Sequence, residues 1–291
     1  MKSLLYLLLI ILVVSNIYAQ WTHTNGPEGV SISSLATIDG TIYAGTSVEG
    51  LYASTDDGLS WIALNAGIEN LEVTAVARNQ QGYLLAATFG GGVFHSVDNG
   101  QSWMAPLNAD NLAVTAMVFK DSLIFAGTID DGVFRSSDNG VTWTQKLSGF
   151  ISVMAMCVSG NTIFVSTYGY TYASTDNGES WFDVSTLEGA AIWSFYCQDS
   201  LIMAGGVNQI YRSTNYGNSF TPLSLNFPFS VVNIYSISAI GSTFYMATSY
   251  DGVYKSTDDG STWVPANDGM GPKDVRAITA TNSSTLIAGT H

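Results

Sequence analysis

An all-β fold, a seven-bladed β-propeller of four-stranded antiparallel blades, is what the sequence predicts, and three observations carry that prediction. A turn motif of eight residues occurs six times, an apolar strand pattern occurs seven times, and almost nothing between them has helical periodicity. A repeat of about 40 residues that divides into four short strands has the size of one propeller blade.

The turn organises the rest. Ser54-Thr55-Asp56-Asp57-Gly58-Leu59-Ser60-Trp61 has relatives starting at Ser96, Ser136, Ser174, Ser213 and Ser256, at spacings of 42, 40, 38, 39 and 43 residues. In the pattern Ser-x-Asp-x-Gly-x-Ser/Thr-Trp, Asp accepts backbone N–H groups of its own turn and Gly takes a positive φ. The hydroxyls satisfy the remaining polar groups, and Trp anchors the outgoing strand. Intact copies pair Asp56 with Trp61, Asp98 with Trp103, Asp138 with Trp143, Asp176 with Trp181 and Asp258 with Trp263. The copy at Ser213 has Asn215 and Phe220 instead.

The strands follow from the apolar runs. TIYAGT ending at Thr46, YLLAAT at Thr88, LIFAGT at Thr128 and their relatives down to TLIAGT at Thr290 are apolar at both parities, so both faces of this second strand are covered. Small residues such as Gly45, Gly127, Gly205 and Gly289 recur near its end, where neighbouring sheets have to approach closely. An inner strand such as 73–77 precedes each run, a third strand such as 92–95 feeds the turn, and the fourth opens with the Trp. Trp21-Thr22-His23-Thr24-Asn25 resembles Trp263-Val264-Pro265-Ala266-Asn267. The N-terminal strand from Trp21 is therefore expected to complete a seventh blade begun by 275–280 and 285–290, closing the ring and hiding its edges. That seventh blade is expected to be incomplete, because the sequence stops at His291 where earlier copies continue, and 20–291 is read as a C-terminally truncated propeller.

Residues 1–19 read as a signal peptide: Lys2 precedes the apolar run Leu4 to Val14, and Ala19 is a small residue at the expected cleavage point. The run is short for a bilayer span of roughly 20 residues, so a secreted protein, extracellular, cell-surface or periplasmic, with no membrane span after signal removal, is the expectation. The net charge of -14 over 9 Lys plus Arg and 23 Asp plus Glu excludes a basic nucleic-acid-binding surface. Cys157 and Cys197 fall at matching places in neighbouring repeats. They are read as two buried thiols, since a bridge needs their Cα atoms within about 7 Å.

The repeated turn resembles the Asp-box, or BNR repeat, of sialidases, sortilin-type receptors, xyloglucan-cleaving glycoside hydrolases and photosystem II assembly factors, a group akin to WD and YVTN repeat propellers. The resemblance covers nearly all of the chain after residue 19 and implies a propeller; in those families the box is a structural turn remote from the ligand face. Fold alone does not decide activity.

Candidate chemistry is sought on the rim opposite the boxes. Loops joining second to third strands hold Glu49, Phe89, Asp130, Asp131, Tyr168, Tyr170, Asn208, Tyr250 and Asp251; loops between blades add Glu28, Glu69, Glu72, Asp110, Phe150, Glu188, Phe227, Phe229, Asp268, Lys273 and Asp274. Such a mixture suits a carbohydrate or peptide groove, and it is also the ordinary composition of solvated loops. Ligand-binding candidates are Glu49, Phe89, Tyr168, Tyr170, Tyr250 and Trp193. Trp193 is the one Trp of seven outside a box position and lies on an inner strand, where it either stacks on a ligand or fills the channel. Asp130 or Asp131 against Asp251 are the candidate acid and base, since a glycosidase holds two carboxylates about 5–9.5 Å apart.

Sialidases also clamp a carboxylate with three arginines, one in a Phe-Arg-Ile-Pro motif that this sequence lacks. Of Arg78, Arg135, Arg212 and Arg276, two precede box turns and only Arg276 is read as lying on an inner strand. His23, His95 and His291 are scattered, no zinc or calcium spacing occurs, and Gly90-Gly91-Gly92 reads as a tight connection, so no metal and no cofactor is expected. The function expected is a secreted, monomeric binding module holding a glycan or protein on that rim. The alternatives are a xyloglucanase-like glycoside hydrolase and an assembly factor for a protein complex.

Overall fold

The computed structural model describes residues 10–13, 20–27, 29–149, 151–225, 232–271, 274–281 and 285–291. Glu28, Phe150, Phe227, Phe229 and Lys273 lie outside the described residues, as does most of the expected signal segment 1–19.

The strands form antiparallel meanders that we letter A to G in chain order. Sheet A is typical: its inner strand Ile32–Ile38 is followed by Thr41–Thr46, Leu51–Ser54 and Ile62–Ala63. The inner strands of B to G are Val73–Arg78, Val114–Lys120, Ala155–Ser159, Ser194–Gln198, Ile234–Ile240 and Val275–Ala280. Each inner strand packs on the next, and that of G packs on that of A, which closes the ring. Thr37 and Thr279 share a hydrogen bond of 3.2 Å across this junction. Among the described residues the only helical element is a single 3₁₀ turn, Ser185–Leu187.

Two parts of the expected blade count need correction. The structure has six four-stranded blades, not seven. Sheet B stops at three strands: its fourth is reduced to the bridge between His95 and Met104. Pro106, two residues on, has no N–H with which to extend that ladder. Nor is the last sheet left incomplete. Ile10–Val13, from the segment read as a signal peptide, pairs with Thr285–Thr290 on one side and with Trp21–His23 on the other. Trp21–His23 thus lies in sheet G without touching the strand it was expected to join.

Packing between sheets explains the small residues. A Cβ at Gly127 would sit 2.4 Å from Val153 Cγ1, and one at Gly289 2.4 Å from Ile32 Cγ2, distances that no packed side chain tolerates. The box Trp side chains fill the seams: Trp103 packs among Leu64, Ile68 and Leu84, and its Nε1 donates to Leu64 O at 2.9 Å in the preceding sheet. Trp21 does the same for sheet G by donating to Ala266 O.

The cysteine reading is also corrected. Cys157 and Cys197 form a disulfide with Cα atoms 6.3 Å apart, joining the inner strands of D and E. Matching positions on adjacent inner strands come within bridging range here because the strands converge toward the axis.

Candidate functional site

The box end of the ring is saturated by its own chemistry. In the copy at Ser54, Asp56 Oδ1 accepts from Ser54 Oγ at 2.8 Å and from Ser60 N at 2.9 Å, while Gly58 N donates to Ser54 Oγ at 2.9 Å. The same bonds hold Asp98, Asp138, Asp176 and Asp258. Hydrogen bonds from Ser60, Ser102, Ser180 and Thr262 lower the pKa of Asp56, Asp98, Asp176 and Asp258 to about 2. Burial alone would raise Asp138, but bonds from Thr142 and Ser136 more than offset it and leave its pKa low. The residue before each box Gly is also left-handed, from Asn99 at φ 59 to Tyr216 at φ 58, which accounts for Asn or Asp in five of the six copies. Trp61, Trp143, Trp181 and Trp263 each donate Nε1 to the carbonyl of their own box Gly.

At the opposite rim the site grows out of one position in the inner strand. Each inner strand opens with, or in D and E is preceded by, a buried Val or Ile followed by one residue that lines the central cavity: Ser33, Thr74, Thr115, Met154, Trp193, Tyr235 and Arg276 in sheets A to G. In A, B, C, F and G the ladder shifts register at this residue, a β-bulge that takes it out of the pairing.

Three successive sheets spend the position on a strap. Ser33 Oγ donates to Val73 O at 2.6 Å, Thr74 Oγ1 to Val114 O at 2.7 Å and Thr115 Oγ1 to Val153 O at 2.7 Å, each tying its sheet to the next. The next two junctions are strapped from elsewhere: Ser166 Oγ reaches Ile192 O and Ser194 Oγ reaches Ile234 O, both at 2.8 Å. Ser236 Oγ donates to Ile278 O at 3.3 Å in the junction after that. Met154, Trp193 and Tyr235 thus take no part in the strap.

With Arg276 they make a continuous arc on one side of a cavity of about 590 Å³ that runs along the axis. Trp193 meets Tyr168 and Tyr235 edge-on, both at 5.9 Å between centroids. The Arg276 guanidinium lies 4.4 Å over the Tyr235 ring, and its Nη2 is 2.9 Å from Asp274 Oδ2. Asn233 Nδ2 donates to Tyr235 Oη at 3.1 Å, and His291 Nδ1 shares a 2.6 Å hydrogen bond with Ser31 Oγ at the junction of sheets G and A, where His291 N also donates to Asp274 O. Trp193 Nε1 and Arg276 Nε are occluded from water yet have no hydrogen-bond partner within the described protein. The disulfide pins the two inner strands just beyond Met154 and Trp193.

The structure gathers Tyr168 and Trp193 from the sequence candidates and scatters the others. Tyr170 stacks on Tyr172 at 6.4 Å; Tyr250 is 65% exposed at a loop tip; Phe89 is half-buried beside Ala113; Glu49 accepts from Tyr52 Oη at 2.9 Å. Asp251 is buried and accepts a hydrogen bond from Tyr254, whose pKa is raised first by burial and then by that carboxylate. Asp130 and Asp131 are exposed on sheet C, three sheets around the ring from Asp251. Arg78 also belongs to an inner strand, at its box end, where it meets Asp39 at 3.4 Å. Met154 and Tyr235 were not among the sequence candidates; their signal is the departure from Ser or Thr at the position after the opening Val or Ile. Among the described residues no cluster of His, Cys, Asp and Glu could hold a metal ion, and no helix is long and apolar enough to cross a membrane.

Residues 191–291 match the family model described as the DUF6242 beta propeller domain. No curated protein matches the chain. Among solved structures, the extracellular domain of a putative hybrid two-component system from B. thetaiotaomicron aligns with a TM-score of 0.72 at 16% identity, over 98% of this chain and 39% of that one. A GH74 xyloglucanase from Xanthomonas campestris aligns at 0.75 and 16% identity, over 93% and 52%. YCF48 from Cyanidioschyzon merolae aligns at 0.68 and 11% identity, over 94% and 99%. The chain thus spans about two fifths of the two-component extracellular domain, and these likenesses establish a β-propeller and nothing finer.

Proposed function

We propose that the chain is an exported binding module that holds a glycan or a protein at the channel mouth opposite the boxes, with Met154, Trp193, Tyr235 and Arg276 as its contact surface and Tyr168 at its lip. The carrying observation is the arc itself: four adjacent sheets carry a large or charged side chain where the other three carry a strap hydroxyl, and at three of the four following junctions another hydroxyl makes the strap. Random substitution at a structural position would not be accompanied by that compensation. The similarity to an extracellular domain and the apolar segment after Lys2 support export.

Binding is favoured over hydrolysis because among the described residues no carboxylate lines the cavity, and Asp274 lies behind Arg276 and His291. A glycosidase needs two carboxylates about 5–9.5 Å apart. A glycan array read for both retention and cleavage tests the reading. Retention without product is the expected result, and release of product would replace it with the hydrolase.

A further inference from the structure

We infer that the arc takes a single neutral sugar ring, a chain end or branch, inserted into the channel mouth along the axis; this rests on the binding-module reading above. A pyranose has apolar C–H faces and a hydroxyl edge, and the arc offers the complement of both. The Trp193 ring is held edge-on by Tyr168 and Tyr235, so its orientation is set before any ligand arrives. Beside it, the polar side chains of Tyr235 and Arg276 line the same cavity, groups that a ring oxygen or hydroxyl can meet.

Charge favours a neutral ring over an acidic one. The guanidinium of Arg276 is already engaged by Asp274 and by the Tyr235 face, and the chain as a whole carries -14. A carboxylate sugar would have to displace Asp274 and approach against that field.

The inner strands disfavour a peptide. Adding a strand to a sheet edge needs free backbone groups. The carbonyls of Val73, Val114, Val153, Ile192 and Ile234 are each capped by a hydroxyl from the preceding sheet. Insertion along the axis follows from where Trp193 and Tyr235 lie: both line the cavity of about 590 Å³, within the range of about 300–1,000 Å³ usual for small-ligand sites.

The test uses the full chain and pairs of oligosaccharides identical except for the terminal ring, hexose in one and the corresponding uronate in the other, with binding measured by calorimetry. Hexose-terminated members should bind at least ten-fold tighter than their uronate partners. Trp193→Ala should weaken binding more than ten-fold, and Trp193→Phe, which keeps a smaller ring, by about three- to ten-fold. Tyr168→Ala guards against a folding artefact, since Tyr168 is 63% exposed, and should weaken binding several-fold with an unchanged melting profile.

Equal or tighter binding of the uronates overturns the inference, as does hexose binding indifferent to Trp193→Ala and Tyr168→Ala. A protein ligand lost in those variants, with no oligosaccharide bound, overturns the sugar assignment and leaves the binding-module reading standing. If no oligosaccharide or protein ligand responds to these variants, both fall.

Discussion

Thr115→Val isolates one strap. Valine keeps the shape of threonine and exchanges the hydroxyl for a methyl, so the change reads the hydrogen bond and little else. Thr115 Oγ1 lies 2.7 Å from Val153 O and 3.1 Å from Gly127 O, and a single hydroxyl proton serves the nearer acceptor. Val153 is 2% exposed, so its carbonyl loses a partner without gaining water. A neutral hydrogen bond contributes about 1 kcal/mol net, and an orphaned buried acceptor raises the cost to about 1–3 kcal/mol. The partial burial of the hydroxyl places the expected loss at about 1–2 kcal/mol. For a domain of about 270 residues this lowers Tm by about 2–4 °C. Urea unfolding followed by fluorescence measures it directly, with the midpoint falling and the m value unchanged. A loss below about 0.5 kcal/mol would refute the strap as an energetic device, and so would an equal loss from Thr144→Val on an outer strand.

Other expectations follow from the same framework. Removing the disulfide as Cys157→Ala with Cys197→Ala should cost about 2–4 kcal/mol for a 40-residue separation, with reductant destabilising the wild type and leaving the variant unchanged in parallel urea melts. Tyr216→Asn should stabilise by about 0.5–1 kcal/mol, read as a rise in Tm, because φ 58 suits Asn better than an aromatic residue and no other box carries one there. Asp56, Asp98, Asp176 and Asp258 have folded pKa values depressed to about 2, so their contribution is fully present above the ordinary value of 3.8 and is lost as pH falls through about 2. Stability should accordingly fall less steeply between about pH 4 and pH 2 in Asp176→Asn than in the wild type, measured by urea unfolding at each pH.

How much of this could be read from the residues depended on whether the chemistry was local. The box closes on itself within eight residues, so its Ser, Asp and Gly roles were legible, and Gly127 and Gly289 announced the close approach of sheets. The left-handed residue before the box Gly was also visible as Asp57, Asn99, Asn139, Asn177 and Asp259, although its conformation was not anticipated. The blade count failed where it depended on pairing: the strand after Trp103 looks like its relatives, but only Met104 bridges back to His95. The disulfide depended on how far two inner strands converge, which a repeat spacing does not specify. The arc was legible in pieces. Trp193 stood out because it broke the box rule, and Arg276 because it lay on an inner strand. Met154 and Tyr235 escaped notice because strand alternation alone does not show that a bulge turns this position toward the axis, nor that Ser166 and Ser194 replace the missing strap hydroxyls.

Tryptophan fluorescence during titration with a hexose-terminated oligosaccharide tests the location of the site most directly. Six of the seven Trp residues serve the boxes or their equivalent at Trp21, and Trp193 alone lines the channel. The emission change should vanish in Trp193→Phe and persist in Trp61→Phe; a change that survives Trp193→Phe and disappears with a box Trp would contradict a ligand site at the channel mouth.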